Sequence, residues 1–325
     1  MIQITDSMIY NRINNELLSE SNKAYNLQDE ISSGLKINYP QDNPEGMVNI
    51  LSYKNSTALI TQYNSNVGLA DGVASLASST LNNVIGVVNQ AKTLAIEMAN
   101  GTNTSVNDTD AAKEAGQIIN ELLQSADTSY NGHNIFTGDN PNQVSAYTAA
   151  SAYYSAIDSN GTSAKVHYNV YTYTGTDVKQ SYRIAKNETI MPSLTADAIF
   201  GNDTATSASH TPSGLISVLS LFKSELSKGV YRHNSSAIIG GVTNGLNRIL
   251  SAQSTLGTIV QRLNGQRESY RIVLSNISQL LGQTQDVNVA KAMTSLTQAQ
   301  NSYKATLEAA SDITSLTPIL LNYLK

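Results

Sequence analysis

Two long stretches of the chain carry apolar or small residues at alternating spacings of three and four. The first comprises Val73, Ala77, Thr80, Val84, Val87, Ala91, Leu94 and Met98. The second comprises Val242, Leu246, Ile249, Gln253, Leu256, Val260, Leu263, Arg267, Tyr270, Leu274, Ile277, Leu281 and Thr284, with polar breaks at Gln253 and Arg267. This spacing predicts long helices that pack along seams. Because a polar middle separates the two stretches, we expect the chain to run out along a helical bundle and return along it.

The prolines divide the chain into helical and irregular parts. No proline lies between Pro44 and Pro141 or between Pro212 and Pro318, so long helices can run there without losing a backbone hydrogen bond. A shorter heptad-like series ends at Ser33 and predicts an earlier helix. Later helices are predicted over residues 44–100, 110–130, 214–227 and 236–284, with the helical phase restarting at residue 289.

A short segment between the first two helices is rich in residues that favour turns. Its key residues are Gly34, Asn38, Pro40, Asp42 and Pro44. We interpret this segment as an ordered connector in which Asp42 or Asn43 caps the next helix and Pro44 occupies its first turn. The connector would set the angle between the segments that it joins.

The 3.6-residue period is absent from residues 139–212. Alternation over residues 165–174 predicts a strand with Val166, Tyr168, Val170 and Thr172 on one face. Residues 175–177 would turn the chain and residues 178–184 would return it as the partner strand. The sequence therefore predicts a mainly α fold, a folded-back rod of long antiparallel helices with a small inserted β-rich domain.

Composition argues against several kinds of partner. The net charge is −5 with only 14% charged residues, whereas a nucleic-acid-binding chain would carry a basic stripe. No run of about 20 apolar residues suggests a membrane span. The first residues have no basic region followed by an apolar core, so we expect no cleaved secretory signal.

No constellation of residues suggests catalysis. The chain has no cysteine, which excludes a disulfide scaffold and a thiol catalyst. His133, His167, His210 and His233 are scattered without carboxylates at metal-ligand spacing. Asp108 begins a segment that lacks the glycine and glutamate of a calcium loop, and we interpret it as helix capping. We therefore expect a protein that is not an enzyme and has no cofactor or metal.

Three sequence clusters resemble the flagellin superfamily. The N-terminal cluster covers residues 1–10 and 31–44, the second is Asn-Gly-His-Asn-Ile-Phe-Thr-Gly at 131–138, and the third is C-terminal. The third comprises residues 286–289 and 296–300 with Tyr303, Ile313 and Leu316. It departs from the family in having Asn288 where a second aspartate is common. The ending Pro-Gln-Asp-Asn-Pro of the connector is more similar to hook-associated protein 3, the hook–filament junction family, than to flagellin.

The resemblance implies an architecture, a location and partners. Residues 1–40 and 285–325 would form terminal coiled-coil assembly segments, residues 41–138 and 213–284 a helical core, and residues 139–212 an outer β-rich domain. Copies would stack in a ring within the extracellular flagellum, in contact with a hook-associated protein 1 type subunit and with flagellin. Export through the flagellar apparatus, with a cytoplasmic chaperone, would replace a signal peptide.

The terminal segments present only a narrow apolar stripe. The residues that we assign to subunit packing are Ile13, Leu17, Leu27 and Ile31, against Met293, Leu296, Tyr303 and Leu307. A pair of helices joined by so narrow a stripe buries too little apolar surface to be secure alone. We therefore hypothesise that these ends are mobile in the free subunit and become ordered when neighbouring copies pack around them.

Two other functions stay open at this point. Flagellin itself has the same predicted architecture, and copy number in purified filaments would separate it from a junction subunit. A secreted adhesin-like rod could use the insert as a ligand surface, since seven of the 17 tyrosines lie between Tyr147 and Tyr182. Tyrosines in a β-sheet are, however, more commonly buried than ligand-binding.

Overall fold

A computed structural model describes residues 6–100, 104–140, 144–157, 162–203 and 212–323. The helices are α1 (Asp6–Ser33), α2 (Pro44–Met98), α3 (Ser105–Ala126), α4 (Ala196–Phe200), α5 (Leu215–Lys228), α6 (Tyr231–Gln285) and α7 (Val289–Tyr323). The strands are β1 (Ser129–Tyr130), β2 (His133–Asn134), β3 (Tyr147–Ile157), β4 (Ser163–Tyr173), β5 (Tyr182–Ala185) and β6 (Glu188–Ile190). The predicted fold class, mainly α with long helices and an inserted β region, is confirmed.

The chain divides into two compact units. One unit contains residues 1–60 and 271–325, and the other contains residues 61–270. Helices α2 and α6 each contribute to both. The terminal segments therefore share a unit with the adjoining ends of the two longest helices.

In the unit of residues 61–270, α2 and α6 pack antiparallel along the predicted seams. Every residue of the first seam is buried except Thr80, which is half-buried. Both polar breaks of the second seam have partners on α2. Gln253 Nε2 donates to Ser78 Oγ at 3.0 Å, and an Arg267 guanidinium nitrogen lies 3.0 Å from an Asp71 carboxylate oxygen. Because these partners are fixed positions on the facing helix, the polar breaks align the two helices along their length.

Helices α3 and α5 complete the core beside α2 and α6. The aromatic rings of Phe222 and Tyr231 meet edge to face at 4.7 Å, and the Tyr231 hydroxyl donates to the Ala95 carbonyl at 2.6 Å. Two glycines of α6 face α5. A Cβ at Gly241 would lie 2.9 Å from a Val218 methyl, and one at Gly245 would lie 2.7 Å from a Leu215 methyl. Any larger residue at either position would force α5 and α6 apart.

Helix α3 begins five residues earlier than the sequence predicted. Thr104 is its N-cap and accepts a hydrogen bond from the backbone of Asn107. Asp108, which we interpreted as a capping residue, is instead buried within the first turn and pairs with Arg232 at 3.4 Å.

The Asn131-Gly132 pair forms the predicted tight turn, with φ of 52° and 81°, between β1 and β2. Asn and Gly tolerate this left-handed backbone, which a two-residue hairpin requires.

The partner of β4 differs from the one predicted. β4 pairs antiparallel with β3, from Tyr147 opposite Tyr173 to Ile157 opposite Ser163, and not with residues 178–184. Residues 176–178 instead bond to the segment before β3, where Thr176 N donates to Thr137 O at 3.0 Å. The predicted buried face of β4 is correct, since Val166, Tyr168 and Val170 are buried. Alternation identifies the face of a strand but not its neighbour, which is a long-range choice.

A small hairpin, β5–β6, packs on the long helices. The Tyr270 hydroxyl donates to the Ile184 carbonyl, and Asn66 Nδ2 donates to the Arg183 carbonyl at 2.7 Å. Arg262 of α6 pairs with Glu188. Residues 182–190 thus lie against α2 and α6, although the sequence-based domain proposal assigns them to the outer domain of residues 139–212.

Candidate assembly surface

The terminal helices α1 and α7 pack against each other in the unit of residues 1–60 and 271–325. A backbone bridge joins Leu35 to Asp286 where α1 has ended and α7 is about to begin, so the two helices run antiparallel. Lys36 N donates to Gln285 O at 2.7 Å and Val287 N to Gly34 O at 3.0 Å. These hydrogen bonds fix the C-terminal end of α1 beside the N-terminal end of α7.

The seam between α1 and α7 is narrow. On α1, the four predicted packing residues Ile13, Leu17, Leu27 and Ile31 are all half-buried. In residues 289–312 of α7, where side-chain burial is described, the buried residues are Ala292 and Ala299, and Leu296 and Tyr303 are half-buried. Each alanine removes one methyl group from water, which is worth about 0.8 kcal/mol, and the larger apolar residues of the seam are only partly withdrawn from water. The described part of this seam is therefore less completely buried than the α2 side of the α2–α6 seam.

Two of the predicted packing residues lie outside this seam. Met293 is 51% exposed and Leu307 is 44% exposed. The positions of α7 that face α1 include Ala292 and Ala299, which are seven residues apart. Ala292 lies one residue before Met293, which the sequence predicted to face α1. The signal was present in the sequence as two alanines at heptad spacing, but larger apolar residues at neighbouring positions obscured it.

Long apolar side chains point away from the seam on both helices. On α1, Leu18 is 55% exposed and Tyr25 is 69% exposed, and these residues are seven apart on one face. On α7, Met293 and Leu307 lie on a common outward face, fourteen residues apart. Exposed apolar rows of this kind mark surfaces that other protein chains cover. Both helices therefore present a second, unpartnered apolar face in the single chain.

A groove of about 490 Å³ lies between α1 and α7. It is lined by Ser21, Ala24, Tyr25, Gln28, Gln300, Tyr303 and Lys304. Small and polar side chains form most of its wall, together with the exposed Tyr25 and the half-buried Tyr303.

The connector of residues 34–44 is held by its own hydrogen bonds. Gly34 adopts a φ of 73°, the left-handed conformation that ends α1. Asp42 Oδ2 accepts from the backbone nitrogens of Asn38, at 2.9 Å, and Tyr39, at 2.7 Å. The side chain of Asn38 in turn donates to Ser33 Oγ at 3.0 Å. Asn38 and Asp42, two of the predicted connector residues, thus belong to one hydrogen-bond network around a tight turn.

The start of α2 decides between the two predicted caps and adds a contact between Ile37 and Gly46 that the sequence did not predict. Asn43 Oδ1 accepts from Gly46 N at 2.9 Å, so Asn43 is the cap and Asp42 serves the turn instead. Ile37 is buried against Gly46, where an added Cβ would lie 2.6 Å from the Ile37 methyl. Pro40 and Pro44 are exposed and restrict the backbone on either side of this contact.

No group of three or more His, Asp or Glu side chains in the described part of the chain is placed to hold a metal ion. His133, His167 and His233 are exposed, and His210 lies outside the described residues. Among the described helices, none is apolar for long enough to cross a membrane.

Sequence comparisons relate the chain to flagellins. The family model of the bacterial flagellin N-terminal helical region matches residues 4–141. A flagellin of Clostridium tyrobutyricum is 24% identical over 147 residues, which are 45% of this chain and 39% of the relative. The chain thus aligns with well under half the length of this curated relative.

Solved flagellar structures share the fold. A flagellar hook-associated protein of Vibrio parahaemolyticus superimposes with a TM-score of 0.62 at 16% identity, covering 75% of this chain and 100% of that chain. Hook-associated protein 3 of Legionella pneumophila gives a TM-score of 0.57 at 13% identity, covering 72% and 98%. FlgL of Bacillus cereus gives 0.52 at 16% identity, covering 71% and 97%. Residues 4–141 are therefore similar to the bacterial flagellin N-terminal helical region, and the chain has the fold of solved flagellar hook-associated proteins, as the sequence resemblance predicted.

Proposed function

We propose that this chain is a structural subunit of the bacterial flagellum that joins the hook to the filament by self-assembly. The observation that carries the proposal is the pair of terminal helices, whose seam is narrow while Tyr25, Met293 and Leu307 lie exposed on their outer faces. A helix pair with so little internal burial and so much apolar surface outside gains its stability from neighbouring chains. The role is structural and involves no catalysis.

The mechanism follows from side-by-side helix packing. Each copy would cover the outward apolar row of its neighbour, which removes that surface from water at about 25 cal/mol per Å². The connector network around Asp42 would keep the direction of α2 fixed relative to α1. Repeated around a ring, these contacts would build one layer of an extracellular tube.

Two features favour a hook–filament junction subunit over other flagellar roles. The connector ends in Pro40-Gln41-Asp42-Asn43-Pro44, the pattern that resembles hook-associated protein 3. The fold likeness to hook-associated proteins also extends over nearly the full length of those chains. We accordingly propose a hook-associated protein 1 type subunit, flagellin and an export chaperone as partners, with export to the cell exterior.

Electron microscopy of a strain that lacks this gene tests the proposal. We expect hooks without filaments, with flagellin released into the medium, and restoration of filaments when the gene is supplied in trans. Normal filaments in the deletion strain would contradict a junction role.

A filament subunit is the second candidate, because the curated relative is a flagellin. Immunogold labelling separates the two roles. A junction subunit should be labelled only where the hook ends, whereas a filament subunit should be labelled along the whole filament.

A further inference from the structure

The tight turn between β1 and β2 presents an asparagine followed by a glycine to solvent. Asn131 and Gly132 are both exposed, and a Cβ at Gly132 would meet nothing within 4 Å. Among the described residues, none forms a hydrogen bond with the Asn131 side chain or with the Gly132 N–H. The Gly132 nitrogen and the side-chain Cγ of Asn131 are therefore both accessible.

These two atoms can react with each other. The Gly132 nitrogen attacks Asn131 Cγ, so that an N–Cγ bond forms, the Cγ–Nδ2 bond breaks, and Nδ2 leaves as ammonia with the proton of the Gly132 N–H. Water then opens the resulting succinimide ring. Aspartate forms when the N–Cγ bond breaks, and isoaspartate forms when the bond between this nitrogen and the Asn131 carbonyl carbon breaks. Glycine favours the first step, because the attacking nitrogen has no neighbouring side chain.

Two other Asn-Gly pairs show what the turn contributes. Asn244-Gly245 and Asn264-Gly265 lie inside α6, where each glycine N–H donates to the carbonyl four residues earlier. Asn264 and Gly265 are exposed, as the turn residues are, so exposure alone does not separate the two settings. Reaction in α6 first requires the helix to open, whereas at residues 131–132 only the turn has to move.

The hairpin around the turn is short. β1 and β2 contain two residues each, and a bond from Ile135 N to Thr128 O at 3.0 Å extends the ladder by one step. A hairpin of this length is marginal on its own, so rotation of the backbone at Asn131 costs little. We propose that Asn131-Gly132 is a site of spontaneous deamidation in the folded protein, with isoaspartate and aspartate as its products.

The isoaspartate product changes the contact between the hairpin and α2. Tyr130, the residue before the turn, has its hydroxyl in the space that a Cβ at Gly72 of α2 would need. Isoaspartate adds a methylene group to the backbone, which a two-residue turn cannot accept without disturbing the pairing of β1 with β2. Aspartate, in contrast, tolerates the left-handed backbone of residue 131, where φ is 52°. We therefore expect Tyr130 to leave Gly72 in the isoaspartate form only.

Incubation of the purified full-length protein tests the site. Tandem mass spectrometry of its peptides measures deamidation at each asparagine separately, and we expect Asn131 to react about tenfold or more faster than Asn244 and Asn264 in the folded protein. The rate at Asn131 should be higher at pH 8 than at pH 6, since the attacking nitrogen must lose its proton. In concentrated urea, which opens α6, the three rates should become similar. Equal rates in the folded protein, or an Asn131 that reacts only in urea, would overturn the proposal.

Hydrogen exchange tests the structural consequence. Anion-exchange chromatography isolates the aged chains, which carry an additional negative charge, and labelling by an isoaspartyl methyltransferase measures their isoaspartate content. Asn131→Asp is the matched control, because it has the same charge on an ordinary backbone. We expect faster exchange over residues 128–135 in the isoaspartate form and wild-type exchange in Asn131→Asp. Equal exchange in both would overturn the predicted loss of the contact between Tyr130 and Gly72.

Discussion

At the scale of single residues, neighbouring glycines of α6 have opposite roles. Gly241 and Gly245 lie against Val218 and Leu215 of α5, whereas a Cβ at Gly240 would meet nothing within 4 Å. The same residue type is thus required for close helix packing at two positions and is only a weak helix former at the third.

This contrast predicts opposite effects of one substitution. Gly241→Ala and Gly245→Ala should each lower the free energy of unfolding by about 1–3 kcal/mol, because the new methyl displaces α5. Gly240→Ala is the matched control and should raise it by about 0.5–1 kcal/mol through helix propensity. Urea denaturation of the three variants measures these changes. Destabilisation by Gly240→Ala equal to that of its neighbour would contradict the packing argument.

Glu225 is a buried carboxyl group without a cationic partner in the described structure. Its Oε1 accepts from Asn234 Nδ2 at 2.7 Å, while Oε2 is buried and has no partner. Burial raises the pKa of the Glu225 carboxyl to about 7, and the hydrogen bond from Asn234 opposes this only in part. The folded protein therefore holds this proton at pH values where the unfolded chain has lost it.

The sign of the pH dependence follows from that difference. Between the unfolded pKa of 4.5 and the folded pKa of about 7, the native state binds more protons, so stability falls as pH rises through this window. Glu225→Gln, which keeps an acceptor for Asn234, should raise the free energy of unfolding at pH 8 by about 1–3 kcal/mol and change it little at pH 4. Denaturation at both pH values measures this, with the exposed Glu114→Gln as control. An equal effect of Glu225→Gln at the two pH values would contradict the assignment.

At the scale of elements, the two polar residues within the α2–α6 seam, Gln253 and Arg267, each bind a polar residue of α2. Gln253 lies between Ile249 and Leu256 but reaches Ser78 and Asn82 on α2. A polar residue at a seam position fixes the alignment of two helices at some cost in stability.

Replacing that residue by leucine should therefore stabilise the seam. Gln253→Leu adds apolar burial at a core position, and we expect a higher midpoint of thermal unfolding, corresponding to about 1 kcal/mol. Gln279→Leu, at an exposed position of the same helix, is the control and should have little effect. A clear loss of stability in Gln253→Leu would show that the hydrogen bonds outweigh the apolar gain.

The α1–α7 pair buries smaller side chains in its described part than the α2–α6 pair does. In its described part the buried side chains of α7 are alanines and those of α1 are at most half-buried, so the free energy of opening the pair in the isolated subunit should be small. Limited trypsin digestion should cut first at Arg12, Lys23 and Lys304 and leave the helices of residues 61–270 intact, as mass spectrometry can show. Termini that persist after the interior has been cut would contradict the hypothesis that they order on assembly.

At the scale of the whole molecule, the outward apolar row of α7 is the surface that we expect neighbouring copies to cover. Met293→Ser with Leu307→Ser should abolish filament formation in complemented deletion cells, because it removes apolar area without touching the α1 seam. Gln298→Ser, at an exposed position of the same helix outside this row and outside the groove, is the matched control and should restore filaments. Circular dichroism of the purified variants checks that the subunit still folds. Normal filaments with the double variant would place the assembly contact elsewhere.

At the same scale, the insert of residues 139–212 contacts more than one helix of the core. Its hairpin β5–β6 contacts α2 and α6 through Arg183, Ile184 and Glu188, while β3–β4 packs beside α5. Deleting the whole insert would thus expose Tyr270 as well as remove an outer domain. Tests of the insert should change single residues of β3 rather than excise the segment.

The sequence by itself determined what is periodic or local. The helices, the buried faces of α2 and α6, the end of α1 at Gly34 and the tight turn at Asn131-Gly132 follow from spacing and from backbone preferences of single residues. Tertiary structure alone decided what depends on distant partners. The pairing of β3 with β4, the placing of β5–β6 on the long helices and the choice of Ala292 and Ala299 over Met293 and Leu307 for the α1 seam are of this kind. Each is settled by the energy of contacts between segments far apart in the chain, which no local pattern encodes.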